Sequence, residues 1–122
     1  MMEIDETAAI GEASEAAEGW LELRDAGDTR GTWERSSSLF RQLVTPEQWG
    51  EAIGKVDATF GRPVSRELND TEYRDSVPGA PDGHYVILTY DAAFERKKEA
   101  VETVVAMLED GGEWRVGGYF VK

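Results

Sequence analysis

The last third of the chain, from Tyr85 to Lys122, constrains the fold more than any other stretch. It reads as three consecutive strands: Tyr85 to Phe94, Ala100 to Leu108 and Glu113 to Val121, dense in the β-branched and aromatic residues that suit a pleated surface. Only Glu95-Arg96-Lys97-Lys98 and a turn around Asp110-Gly111-Gly112 separate them. Connections this short join antiparallel neighbours, so the expected product is a meander. A meander needs another layer to bury its apolar face. The upstream sequence supplies helices for that layer.

A first helix is predicted over Thr7 to Ala26, with Ala13, Ala17, Trp20 and Arg24 on one face and Ala16, Leu21 and Leu23 beside it. Glu12, Glu15, Glu18 and Glu22 make its wet face, and Gly27 suits a C-terminal cap. A second helix is expected from Thr29 or Thr32 to Leu43. Within it Ser36, Ser37 and Ser38 lack the Gly-x-Ser-x-Gly setting of a nucleophile and read as small packing residues. Thr45-Pro46-Glu47-Gln48 is a capping box with Pro at the first helical position. Trp49, Ile53, Val56 and Phe60 follow as one apolar stripe, ended by Gly61-Arg62-Pro63. Val64 to Asp75 is a polar strand protected at the sheet edge by its charges, and Ser76 to Gly83 is a loop rich in Pro and Gly. The expected class is α+β: three N-terminal helices packed on a curved four-stranded antiparallel sheet. Residues 1–122 form a single domain, and residues 1–7 are expected to be a flexible extension.

Composition removes several kinds of chemistry. There is no cysteine, which excludes thiol catalysis, cysteine-based metal centres and disulfides. The formal net charge of -12 repels phosphate backbones and anionic lipid, so neither nucleic acid nor membrane is an expected partner. The same field suits solubility, a basic partner or cations. No apolar run reaches the ~20 residues of a membrane span. No cofactor motif is present. Asp70, Glu72 and Asp75, or Asp82 with Glu95, offer oxygen ligands but no cation-loop spacing, so no metal is expected.

Strand alternation divides the meander into two faces. Val86, Leu88, Tyr90, Ala92 and Phe94, then Val101, Thr103, Val105 and Met107, then Trp114, Val116, Gly118 and Phe120, are assigned to the helix-covered face. The opposite set contains Tyr85, Ile87, Val104, Leu108, Tyr119 and Val121. An apolar surface of that kind marks an interface, and a homodimer through this open face is expected. On this parity Asp91 and Glu102 also point outward, with Arg115 available to pair with Glu102.

Specific words recur as well: Trp20-Leu-Glu-Leu-Arg-Asp-Ala-Gly27, Gly61-Arg-Pro-Val-Ser-Arg66, Pro78-Gly-Ala-Pro-Asp-Gly83, Glu102-Thr-Val104 and the ending Gly118-Tyr-Phe-Val-Lys122. With these the chain resembles the bacterial family catalogued as domain of unknown function 4019, from about residue 8 onward. The order of helices and strands resembles the NTF2-like (cystatin-like) fold, in which a sheet wraps a helix as a cone. The family resemblance implies a small exported bacterial protein and carries no catalytic residue. Met1 to Glu6 lacks the positive start and apolar segment of a leader. Export then implies a periplasmic or extracellular protein whose leader was removed; without one, the chain is cytoplasmic.

Two functional readings follow. The first is a non-enzymatic binding or interaction domain. A small apolar ligand would sit in a residual cavity near Trp33, Arg66, Tyr90 and Trp114. The second is an isomerase- or dehydratase-like enzyme with a carboxylate base in the cone: Glu102 with Tyr119 if the parity is reversed, or Asp91. The only histidine, His84, lies at the rim of such a cone. The direction of Glu102 separates the two readings.

Overall fold

The computed structural model describes residues 4–122. Helices α1 (Glu6–Asp25), α2 (Thr29–Arg35), α3 (Ser38–Leu43) and α4 (Pro46–Phe60) precede strands β1 (Pro63–Arg74), β2 (Tyr85–Phe94), β3 (Lys97–Leu108) and β4 (Trp114–Val121). The strands form one antiparallel sheet in the order β1-β2-β3-β4, the predicted meander with its polar strand at the edge. Half of the first-turn cluster is strand: β3 begins at Lys97, which leaves Glu95 and Arg96 as the connection. Within the expected extension, Ile4 packs on the core and Asp5 caps α1 through its carboxylate. Residues 1–3 of that expected extension lie outside the described residues.

Helix α1 lies across the inner face of the sheet. Ala9, Ala13 and Ala17 are fully buried, and their small side chains let the helix come close to Val86, Leu88, Val104 and Ala106. Trp20 then fills the wider space beyond them. Gly27, at φ 78°, ends α1 in a Schellman arrangement: its N–H donates to Arg24 O and the Asp28 N–H donates to Leu23 O. This termination fixes where Arg24 and Asp25 stand.

The predicted second helix is two helices. Ser36 and Ser37 are extended, and Ser37 N–H donates to Val116 O at 2.7 Å, so the chain docks on β4. Ser37 Oγ accepts the Phe40 N–H and starts α3. Serine competes well for such local bonds, which is why three of them break the helix where a packing role was expected. Ser36 Oγ accepts the indole N–H of Trp20 and donates to Thr32 O. Thr32 Oγ1 accepts from the Trp49 indole. The predicted capping box of α4 is present, with Thr45 and Gln48 bonded reciprocally.

Two of the four register shifts in the sheet bear most on the site. Between Leu68 and Asp70 the register shifts, leaving Asn69 unpaired. Between β3 and β4, Val105 pairs with Gly118 while Ala106 pairs with Val116, so Gly117 is the extra residue. The inner face therefore carries Trp114 and Val116 before the bulge, and Tyr119 and Val121 after it.

Replacing Ser37 by Ala removes the start of α3. It is expected to lower stability by ~1 kcal/mol, read as an earlier urea midpoint at unchanged slope.

Candidate functional site

The parity assigned to β3 is reversed in the structure. Ala100, Glu102, Val104 and Ala106 are buried under the helices, whereas Val101, Thr103, Val105 and Met107 face the other way. Both sets are apolar, so alternation alone favours neither. The deciding fact is steric: the small Ala100 and Ala106 belong where α1 approaches. Glu102 consequently points into the molecule at 0% exposure. It does not pair with Arg115, which instead meets Glu113 at 3.0 Å.

A carboxylate in that position requires partners. Arg66 on β1 donates from Nε to Glu102 Oε1 at 2.6 Å and from Nη2 to Oε2 at 3.2 Å. Tyr119 on β4 donates its hydroxyl to Oε2. Ala92, opposite Arg66 on β2, is small enough to leave the diagonal path between β1 and β3 open. The other edge of the guanidinium grips Asp25 at the end of α1, with Nη1 to Oδ2 at 2.6 Å and Nη2 to Oδ1 at 2.8 Å. Burial disfavours the charge on Arg66, but the hydrogen bonds to Asp25 and Glu102 outweigh it and raise its pKa.

A second cation backs the first. Arg24, also buried, donates from Nε to the Tyr119 hydroxyl at 3.3 Å and lies 5.6 Å from the ring centroid of that tyrosine. Its Nη2 is 2.9 Å from Asp57 Oδ1 on α4. The same two atoms have no partner in good hydrogen-bond geometry, so the contact is an ion pair by distance and not an aligned bond. Trp20 and Trp49 close over Tyr119, with ring centroids at 5.1 and 6.5 Å, and Phe40 packs edge-on against Trp49. The interior at this end is filled by aromatic rings.

Beside the ion cluster runs an open cleft of about 280 Å³ between α1 and the β1 edge. Helix α1 contributes Glu18, Leu21, Glu22 and Asp25; Arg66, Leu68 and Tyr90 come from the sheet. Tyr90 is 4% exposed, yet its hydroxyl has no hydrogen-bond partner among the described residues and keeps access to solvent. Burial pushes its pKa up to about 12, with the negative charge of Glu18 adding to the shift and Arg66 opposing it.

Of the ligand-binding residues expected from the sequence, Arg66 and Tyr90 meet in this cleft. Trp114 lines a separate depression with Arg35 and Arg115. Trp33 spends its indole N–H on Val44 O at 2.7 Å and belongs to neither. Among the catalytic alternatives, Glu102 and Tyr119 touch, but Asp91 is exposed on the outer face near Asn69. His84 stands outside the core, with Nδ1 2.5 Å from the Tyr73 hydroxyl. The surface expected to be apolar and outward is corrected too. Val104, Leu108, Tyr119 and Val121 lie on the inner face, and Tyr85 is buried with its hydroxyl on Pro81 O. Only Ile87 remains partly accessible on the outer face, where Val101, Val105 and Phe120 join it. Sequence reasoning missed Asp25, to which it gave no role, and Glu18 and Glu22, read as plain wet face. Their 18-22-25 spacing on one helical face was the available signal.

The chain matches the family described as a protein of unknown function (DUF4019) over residues 16–119, and it belongs to that family. No curated protein and no solved structure gives a significant match.

Replacing Glu102 by Ala strands Arg66 and Tyr119. Because Arg66 keeps Asp25, the expected loss is ~3 kcal/mol, at the lower end for a broken buried pair; Glu102→Gln should lose less, both read by urea denaturation. A second expectation concerns alkaline pH. Tyr90 and Tyr119 have raised pKa values, chiefly through burial, so the folded state holds these protons more tightly than the unfolded one. The stability they contribute is whole below about pH 10 and is lost as pH rises through about 12. Tyr90→Phe should flatten that decline in stability measured against pH.

Proposed function

We propose that the protein is a non-enzymatic binding domain of NTF2-like form whose ligand occupies the cleft between α1 and β1. The observation that carries this reading is the contrast between two neighbouring polar groups. Both oxygens of Glu102 are consumed by Arg66 and Tyr119, in a space closed by tryptophans. A general base must reach the proton it abstracts, and this carboxylate has no such reach. The hydroxyl of Tyr90, the residue paired with Glu102 across β2 and β3, is sheltered, unpartnered and open to the cleft. A hydroxyl left in that state favours a ligand that supplies its missing bond. The NTF2-like description is supported by α1 lying across the inner face of a bulged antiparallel meander.

The reading is tested with a fragment library, using thermal shift followed by 15N-resolved NMR. Hits should raise the melting temperature by mass action and move the amide resonances of Leu21, Leu68 and Tyr90. They should also be recovered chemically unchanged. A fragment that is converted by the wild-type protein and spared by Glu102→Gln would overturn it, as would a library with no hit in the cleft.

A further inference from the structure

We propose that the cleft selects an alkylammonium group: a primary amine, protonated at neutral pH, carried on a short apolar body. The inference rests on the binding reading above and names the ligand class for the same cleft.

Charge decides the head group. Arg66 is the one cation in the lining, and its Nε, Nη1 and Nη2 are already bonded to Glu102 and Asp25. An anion would find little left to bind. Glu18 and Glu22 also line the cleft, and neither has an ion-pair or hydrogen-bond partner among the described residues. The whole molecule adds a formal charge of -12, which concentrates cations at its surface.

The remaining groups decide the rest of the ligand. The Tyr90 oxygen can accept an N–H from an ammonium, and the Glu18 carboxylate lines the same cleft. An ammonium provides three donors, enough for Tyr90 and Glu18 together. Part of the lining is apolar: Leu21 is buried, and Leu68 is 44% exposed. An alkyl chain attached to the ammonium would cover it. A small inorganic cation would leave Leu68 wet and would meet no ready-made oxygen cage, since no cluster of three or more metal-ligating side chains occurs among the described residues.

The test titrates the full chain with n-butylammonium, with butyrate as a matched anion, and with Nα-acetyl-lysine-N-methylamide, each followed by 15N-resolved NMR. Butylammonium should move Leu21, Leu68 and Tyr90, and butyrate should not. Tyr90→Phe and Glu18→Gln should each weaken binding about tenfold while leaving the rest of the spectrum in place. Raising the salt concentration should weaken it further. A lysine derivative that binds more tightly than butylammonium supports the inference and identifies a protein side chain as the source; the reverse order supports it with a free amine. Equal or stronger binding of butyrate overturns it. So does silence from both amines while other fragments occupy the cleft, in which case the binding reading survives. Binding that both variants leave unchanged overturns it as well.

Discussion

Glu102 is the group on which this structure depends. A carboxylate without solvent contact costs several kcal/mol unless its charge is matched and its lone pairs are filled. Here the matching groups come from different places in the chain: Arg66 from the edge strand, Tyr119 from the last strand and, behind them, Asp25 and Arg24 from the end of α1. One buried charge thus ties both edges of the sheet to the helix above it. Packing alone would permit α1 to slide along its alanine face. The two-sided grip of Arg66 on Asp25 and Glu102 permits one position.

The same arrangement divides the polar groups into those that hold and those that are available. Glu102, Arg66 and Tyr119 satisfy one another, and the indoles of Trp20, Trp33 and Trp49 are each bonded to chain or side-chain oxygen. What remains on the far side of Arg66 is a short stretch of unspent polarity: the Tyr90 hydroxyl and the carboxylates of Glu18 and Glu22. On the proposed reading, stability and recognition are therefore adjacent but separate. The ion cluster forms the rigid wall against which a ligand in the cleft would rest.

Much of the architecture was legible in the sequence because it rests on local chemistry. The Thr45–Gln48 box, Gly27 and the alternating strands each specify backbone geometry within a few residues. The break at Ser36-Ser37 was hidden because it depends on a docking partner, Val116, that lies 80 residues away. The face of β3 was hidden for a different reason. Its two side-chain sets are both apolar, and only the nearness of α1 makes the alanine set the inner one. Tyr119 needed one more fact, the extra residue at Gly117, which turns the end of β4 over. Arg66 and Tyr90, both named from the sequence, meet in one cleft. Asp25 was not named, since an aspartate two residues before a helix-ending glycine looks ordinary.

The docking of Ser37 on Val116 also bears on how sheets of this protein can meet. Strand addition in a continuing series needs two free edges, one on each side of the sheet. The α2–α3 junction bridges β4 at Val116, so backbone pairing is obstructed at that point of the β4 margin. The other edge strand, β1, presents an open ladder lined with Glu67, Asp70, Glu72 and Arg74. A sheet with one edge charged and the other interrupted is hindered in adding strands without end. Part of that hindrance is carried by the segment that breaks the second helix.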